Sequence, residues 1–229
     1  MTGSEVHSIL QDIGATHLHH ANTVTTSCTF LEKGALLSRD YAERHGLPQT
    51  PQSSDAIDKK MKIWDRIFLD HVNIHYRGGG KKGPNQYGPV LFMFPLGILR
   101  ELPQSADIEV SKVNPIHWPN INKSEWCFQN SEELRSQIKF GDFDKMLIIR
   151  TASSKLSIPD HKLSIVLDDP DRTLPSGPDA FTHAKNRLKS AARIGGVDIT
   201  IKKHECKSQC QCLSFYRDQD PRLFNMLFQ

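Results

Sequence analysis

The sequence predicts an α+β fold. Strand-like and helix-like runs follow one another without strict alternation and without segregation into blocks. Two observations anchor that reading. Residues 179–194 place Phe181, Ala184, Leu188, Ala191 and Ala192 on one helical face. The apolar runs at 88–94, 145–150 and 163–167 have the length and composition of strands.

Taken in order, residues 1–15 read as a short helix or a loose arm, and 16–24 as a strand carrying His17, His19 and His20. Residues 25–33 read as a helix with Cys28 and Leu31 inward and Gly34 as its stop. Two prolines and several small polar residues make 46–55 a loop. Asp55 is placed to cap a helix over 56–66, where Ile57, Met61 and Trp64 keep helical spacing. An apolar run over 67–75 leads into a basic glycine-rich loop with Arg77, Lys81 and Lys82. Trp118, Trp126 and Cys127 fall in a segment rich in proline and asparagine, where no element is assigned. Residues 132–138 read as a short helix, and 168–178 as a loop full of helix and strand breakers. Gly195-Gly196 ends the long helix, and 197–203 alternates as a strand. Residues 1–175 form the expected core, with 176–229 as a helix-strand segment packed on the same domain. No internal repeat is visible.

Composition narrows the class. The 229 residues are 38% hydrophobic and 24% charged, which fits a folded chain with a real core and excludes a disordered one. A net charge of +3 permits an anionic partner without demanding one. The N-terminus lacks a charged-then-apolar leader pattern, and no apolar run approaches a membrane span, so a cytoplasmic location is expected. Of five cysteines, three crowd into residues 206–212, a poor disulfide framework. His204, Cys206, Cys210 and Cys212 match the donor set of a structural zinc site that pins the C-terminal strand. Reduced cysteines without metal are the alternative.

Residues 16–41 concentrate the polar chemistry. A polar strand end followed at once by a helix start would present N–H groups to a phosphate, with Arg39 as a bidentate clamp. The alternative reading makes Asn22 the helix cap of a solvated turn, Arg39 a surface partner of Asp40 or Glu43, and Tyr41 a core residue. In a strand, His19 and His20 point to opposite faces and cannot both serve one site.

The order of several short motifs resembles bacterial ADP-ribosyltransferase toxins of the DarT group. They are H-A-N-T-V from His20, T-F-L from Thr29, A-L-L-S-R from Ala35, I-W-D-R-I-F-L-D from Ile63, Y-G-P-V-L-F from Tyr87 and I-V-L-D-D-P from Ile165. More narrowly, they resemble the branch in toxin–antitoxin–chaperone systems whose toxins modify mRNA. The resemblance implies a split pair of β-sheets with flanking helices and a central NAD+ cleft. It implies transfer of ADP-ribose from NAD+ to a nucleobase of single-stranded nucleic acid, RNA ahead of DNA, with a cognate antitoxin and a SecB-like chaperone as partners. It places His20, Asn22, Thr23, Arg39, Tyr41 and Tyr87 at the dinucleotide, and Arg77, Lys81 and Lys82 beside the acceptor strand. Lys185, Lys189 and Arg193 form a second basic strip, better read as a solvated helix face.

One position departs from the family. Where a glutamate is expected to stabilise the oxocarbenium-like state, this chain has Ser164. A shifted alignment, an inactivating substitution, or replacement by Asp160, Asp168, Asp169 or Glu125 would each account for it. A catalytically silent nucleic-acid-binding or protein-interaction module on the same fold is the alternative function.

Overall fold

The computed structural model describes residues 1–76, 86–158, 163–204 and 211–229. The α+β class holds. The chain runs α1 (Gly3–Asp12), β1 (His17–Asn22), α2 (Val24–Glu32), β2 (Ala35–Leu37), α3 (Arg39–Arg44), α4 (Asp55–Lys60) and β3 (Ile67–Asp70). It continues with β4 (Val90–Pro95), β5 (Asp107–Val110), α5 (Ser131–Gln137), β6 (Met146–Arg150), β7 (Lys155–Ser157) and β8 (Leu163–Asp168). Then come α6 (Ala180–Gly195), β9 (Ile199–His204), α7 (Cys212–Asp218) and α8 (Pro221–Phe228). Short 3₁₀ turns fill several connections, including Ile74–Tyr76 and Leu96–Arg100.

Among the described residues the two sheets are unequal: seven strands in the order β5-β6-β3-β1-β4-β8-β9, and a separate β2-β7 pair. All neighbours are antiparallel except β8 and β9, which α6 joins as a crossover. Residues beyond 175 therefore complete the large sheet. They also contribute Ala184, Leu188, Phe224 and Phe228 to the same core as Leu18 and Phe92.

Cross-strand partners share a face, so the register sorts every side chain. Leu18, His20 and Asn22 of β1 lie with Phe94, Phe92 and Val90 of β4. Ile165 and Leu167 of β8 extend that row. This face meets the helices and holds the main core. The opposite face carries His17 and His19, then Met93, Ser164, Thr200, Asp168 and His204. At its β3–β6 end, Phe68, Met146 and Ile148 pack under Trp118 and Trp126, whose rings stack at 4.7 Å.

Two glycines end α6 for different reasons. Gly196, at φ +68°, is the left-handed cap. Gly195 is still helical, and a Cβ there would sit 1.9 Å from the Leu31 carbonyl oxygen, so it sets the close approach of α6 to α2. The helix expected over 56–66 is shorter, Asp55–Lys60, and Asp55 is not its cap. The Asp55 carboxylate is taken by Arg39 and by the Gln52 N–H.

Candidate functional site

The start of α2 shows what the opening motif builds. Thr23 is the N-cap; its Oγ accepts the Thr26 N–H at 3.4 Å and lies 2.7 Å from Thr50 Oγ. Thr26 Oγ in turn accepts the Thr50 N–H at 2.9 Å. The loop around Thr50 therefore lies over the helix start, and Thr23 and Val24 are buried. The N-terminus expected to await a phosphate is capped and covered by the chain's own hydroxyls.

Arg39 explains why that loop stays there. Its guanidinium donates to the Thr50 carbonyl at 2.9 Å and pairs with Asp55 at 2.6 Å, with its side chain only 13% exposed. The surface pairings expected for it belong to others: Asp40 pairs with Arg44, and Glu43 with Lys59 and the Trp64 N–H. Arg39 Nε has no hydrogen-bond partner among the described residues.

His20 and Asn22 meet on the face that holds the main core, Asn22 buried and His20 half-buried. His20 Nδ1 lies 2.8 Å from the Phe68 carbonyl, and its ring sits between Phe30 and Phe92. Asn22 Nδ2 lies 3.3 Å from His20 Nε2, and Asn22 Oδ1 accepts the Thr23 N–H. Desolvation lowers the His20 pKa, which disfavours the charged ring. Tyr41 stacks on His45 at 3.9 Å under Lys155. Tyr87 precedes Gly88, whose backbone at φ +135° abuts the Asn22–Thr23 peptide so closely that a Cβ would lie 2.4 Å from Asn22.

Ser164 is on the other side of the sheet. It pairs with Met93, which pairs with His19, so the register aligns His19 and Ser164 on one face with a single strand between them. That spacing is about 10 Å. His20, Asn22 and Ser164 therefore do not line one pocket. The alternation that set His19 apart from His20 holds; which of the two shares a face with Ser164 was not readable before the strand order was known.

Several polar atoms near His19 lack a hydrogen-bond partner. Among the described residues, His19 Nδ1, His71 Nε2, Ser164 Oγ, both ring nitrogens of His75 and Asp168 Oδ1 are buried without a hydrogen-bond partner. Other such atoms, among them Ser27 Oγ, Arg39 Nε and Arg66 Nε, lie away from this group. Burial, with His17, His71 and His75 nearby, pushes the His19 pKa down to about 4. Asp70 is the register partner of His19.

No protein-family model matches the chain, and no curated protein does. Among solved structures the chain is similar to Thermus sp. 2.9 DarT in complex with ADP-ribosylated ssDNA. Identity is 9%, the match covers 82% of this chain and 94% of that one, and the TM-score is 0.48. At that level no residue-by-residue correspondence follows.

The remaining expected positions divide. Arg77, Lys81, Lys82, Asp160, Cys206 and Cys210 lie outside the described residues. Asp169 is paired with Lys203, and Glu125 accepts the Asn122 N–H in a capping box. Asp168 is buried; its Oδ2 accepts the Tyr216 hydroxyl at 2.6 Å, and its Oδ1 lies 2.9 Å from His75 Nε2. His204 stacks on His75 at 3.8 Å. Asp168, one of the candidate carboxylates and part of the I-V-L-D-D-P motif, is therefore met by His75, which the sequence reading did not single out, although the density of histidines at 71–75 was a visible signal. Two clefts, of about 430 Å³ beside Asn186 and Arg187 and about 350 Å³ between Glu101 and Ser157, lie away from these groups. Among the described residues no helix is long and apolar enough to cross a membrane.

Proposed function

We propose that this chain is an NAD+-dependent ADP-ribosyltransferase acting on nucleic acid, with the dinucleotide on the sheet face that carries His19 and Ser164. The ordered motifs over residues 16–170 support the activity. The alignment of a β1 histidine with the β8 position on one face, both with unpartnered polar atoms, is the observation that carries the assignment of the face. In the reaction the bond between ribose C1′ and nicotinamide breaks, its electron pair leaves with nicotinamide, and a base nitrogen of the acceptor attacks C1′ and loses its proton to solvent. His19, held neutral, supplies a hydrogen bond to the ribose or the carboxamide. Ser164 supplies a hydroxyl but no charge, and Asp70 is the carboxylate across from His19. His20, Asn22, Thr23 and Arg39 hold the β1–α2 junction from behind.

The same resemblance supports a toxin setting, most narrowly that of the CmdTAC anti-phage system. There RNA is the preferred acceptor, phage or host gene expression is blocked, and a cognate antitoxin and a SecB-like chaperone restrain the enzyme. The serine at position 164 favours a second reading, a nucleic-acid-binding module that no longer turns over NAD+.

Labelled NAD+ incubated with RNA and single-stranded DNA oligonucleotides separates the two. The first reading expects label on the nucleic acid, more on RNA, with loss in His19→Ala and a gain in Ser164→Glu. Absence of transfer and of nicotinamide release in both the natural chain and Ser164→Glu, with RNA binding intact, would establish the second.

A further inference from the structure

The geometry points to a buried structural zinc site formed by His75, Asp168, His204 and Cys212. These residues come from four places: the 3₁₀ turn after β3, the end of β8, the end of β9 and the first residue of α7. One ligand atom from each lies within 4.8 Å of every other, and all four residues are buried. A tetrahedral zinc holds its donors about 3.3–3.8 Å apart, so small adjustments would close the shell around one ion.

Three features favour a metal over an ordinary buried hydrogen-bonded cluster. His75 Nε2 and Asp168 Oδ1 face each other at 2.9 Å, yet neither makes an aligned hydrogen bond among the described residues. Lone pairs aimed at a common point produce that arrangement, whereas an N–H···O contact does not. Asp168 Oδ2 is already held by the Tyr216 hydroxyl, which leaves Oδ1 as a single oriented donor. Arg172 donates to the Tyr216 and Gln219 carbonyls and so fixes that helix against the sheet. Finally, two neutral imidazoles, one carboxylate and one thiolate carry a charge of −2, which a divalent cation cancels in a site with little access to water.

Four protein ligands leave no open position, so the ion would be structural. It would tie the C-terminal helices to the end of the β8–β9 pair. The set shares His204 and Cys212 with the sequence-derived cluster and adds His75 and Asp168; Cys206 and Cys210 lie outside the described residues.

Elemental analysis of the full chain, purified without chelator, should find about one zinc per molecule. His75→Gln and Asp168→Asn should each lose it, while Cys206→Ser and Cys210→Ser should keep it. Cobalt substitution of the natural chain gives an independent readout that does not depend on whether a variant folds. A tetrahedral spectrum with the charge-transfer intensity of one thiolate is expected. A three-thiolate spectrum, or zinc lost only from the Cys206 and Cys210 variants, would overturn the assignment in favour of the sequential cluster. A metal-free chain whose thermal midpoint ignores both zinc and chelator would overturn it altogether.

Discussion

His20 and Ser164 face opposite sides of the same sheet: His20 shares its row with Phe92 and Ile165, and Ser164 shares its row with Met93 and His19. The adjacent histidines of β1 therefore have different surroundings, and the proposed assignment gives the site to His19.

Substitution separates them. His20→Ala removes a ring wedged between Phe30 and Phe92 and strands the Phe68 carbonyl, so a loss of about 2–4 kcal/mol in urea unfolding is expected. His19→Ala should weaken NAD+ binding in calorimetric titration at a smaller cost in stability. Equal NAD+ affinity in the two variants would contradict the assignment of the face.

Acid should unfold the protein early. The His19 pKa falls from the ordinary 6.5 to about 4 in the folded chain. Between those values the unfolded chain binds a proton that the folded chain refuses, so stability present above pH 6.5 is lost as pH falls. Burial lowers His20 and His71 in the same direction. Asp58 opposes them: burial raises its pKa from 3.8 to about 6, which favours the fold as pH falls through 6. His7 and His204 are lowered as well, so depressed histidines outnumber the one raised carboxylate and the urea midpoint should drop between pH 7 and pH 5. His19→Gln should flatten that drop, by at most about 2 kcal/mol.

The Arg39–Asp55 pair anchors the loop that covers the start of α2. Removing Arg39 leaves a half-buried carboxylate and an unheld Thr50 carbonyl, so Arg39→Ala should cost about 2–4 kcal/mol. Asp55→Asn should cost less. The double variant should lose less than the sum of the two single variants, which a double-mutant cycle on denaturation midpoints measures.

Gly195→Ala should be among the most damaging single-methyl additions. Its Cβ would meet the Leu31 carbonyl oxygen, a backbone atom, at 1.9 Å, and α2 and α6 would have to separate. A loss of about 3 kcal/mol or more is expected. Gly196→Asn, one residue on at φ +68°, should cost little, because asparagine tolerates the left-handed region. Thermal melts of the two variants check the contrast.

Local pattern carried much of the fold. The strand at β1, the helix after it with its Gly34 stop, the β4, β6 and β8 runs and the long α6 were legible because hydrophobic period and breaker residues act over a few positions. The three-residue strands β2 and β7, the short β5, and the helices α3, α7 and α8 were not assigned, since nothing in so short a stretch distinguishes them until a partner covers them. The histidine motif in β1 announced polar chemistry, and alternation required His19 and His20 to part. Alternation cannot say which residue faces the core, because that depends on which strands lie beside β1 and in what register. Only the tertiary structure brought His75 and Asp168 to His204 and Cys212, or set Ser164 in the row of His19. Such contacts join separate segments of the chain, and sheet order, not local sequence, decides them.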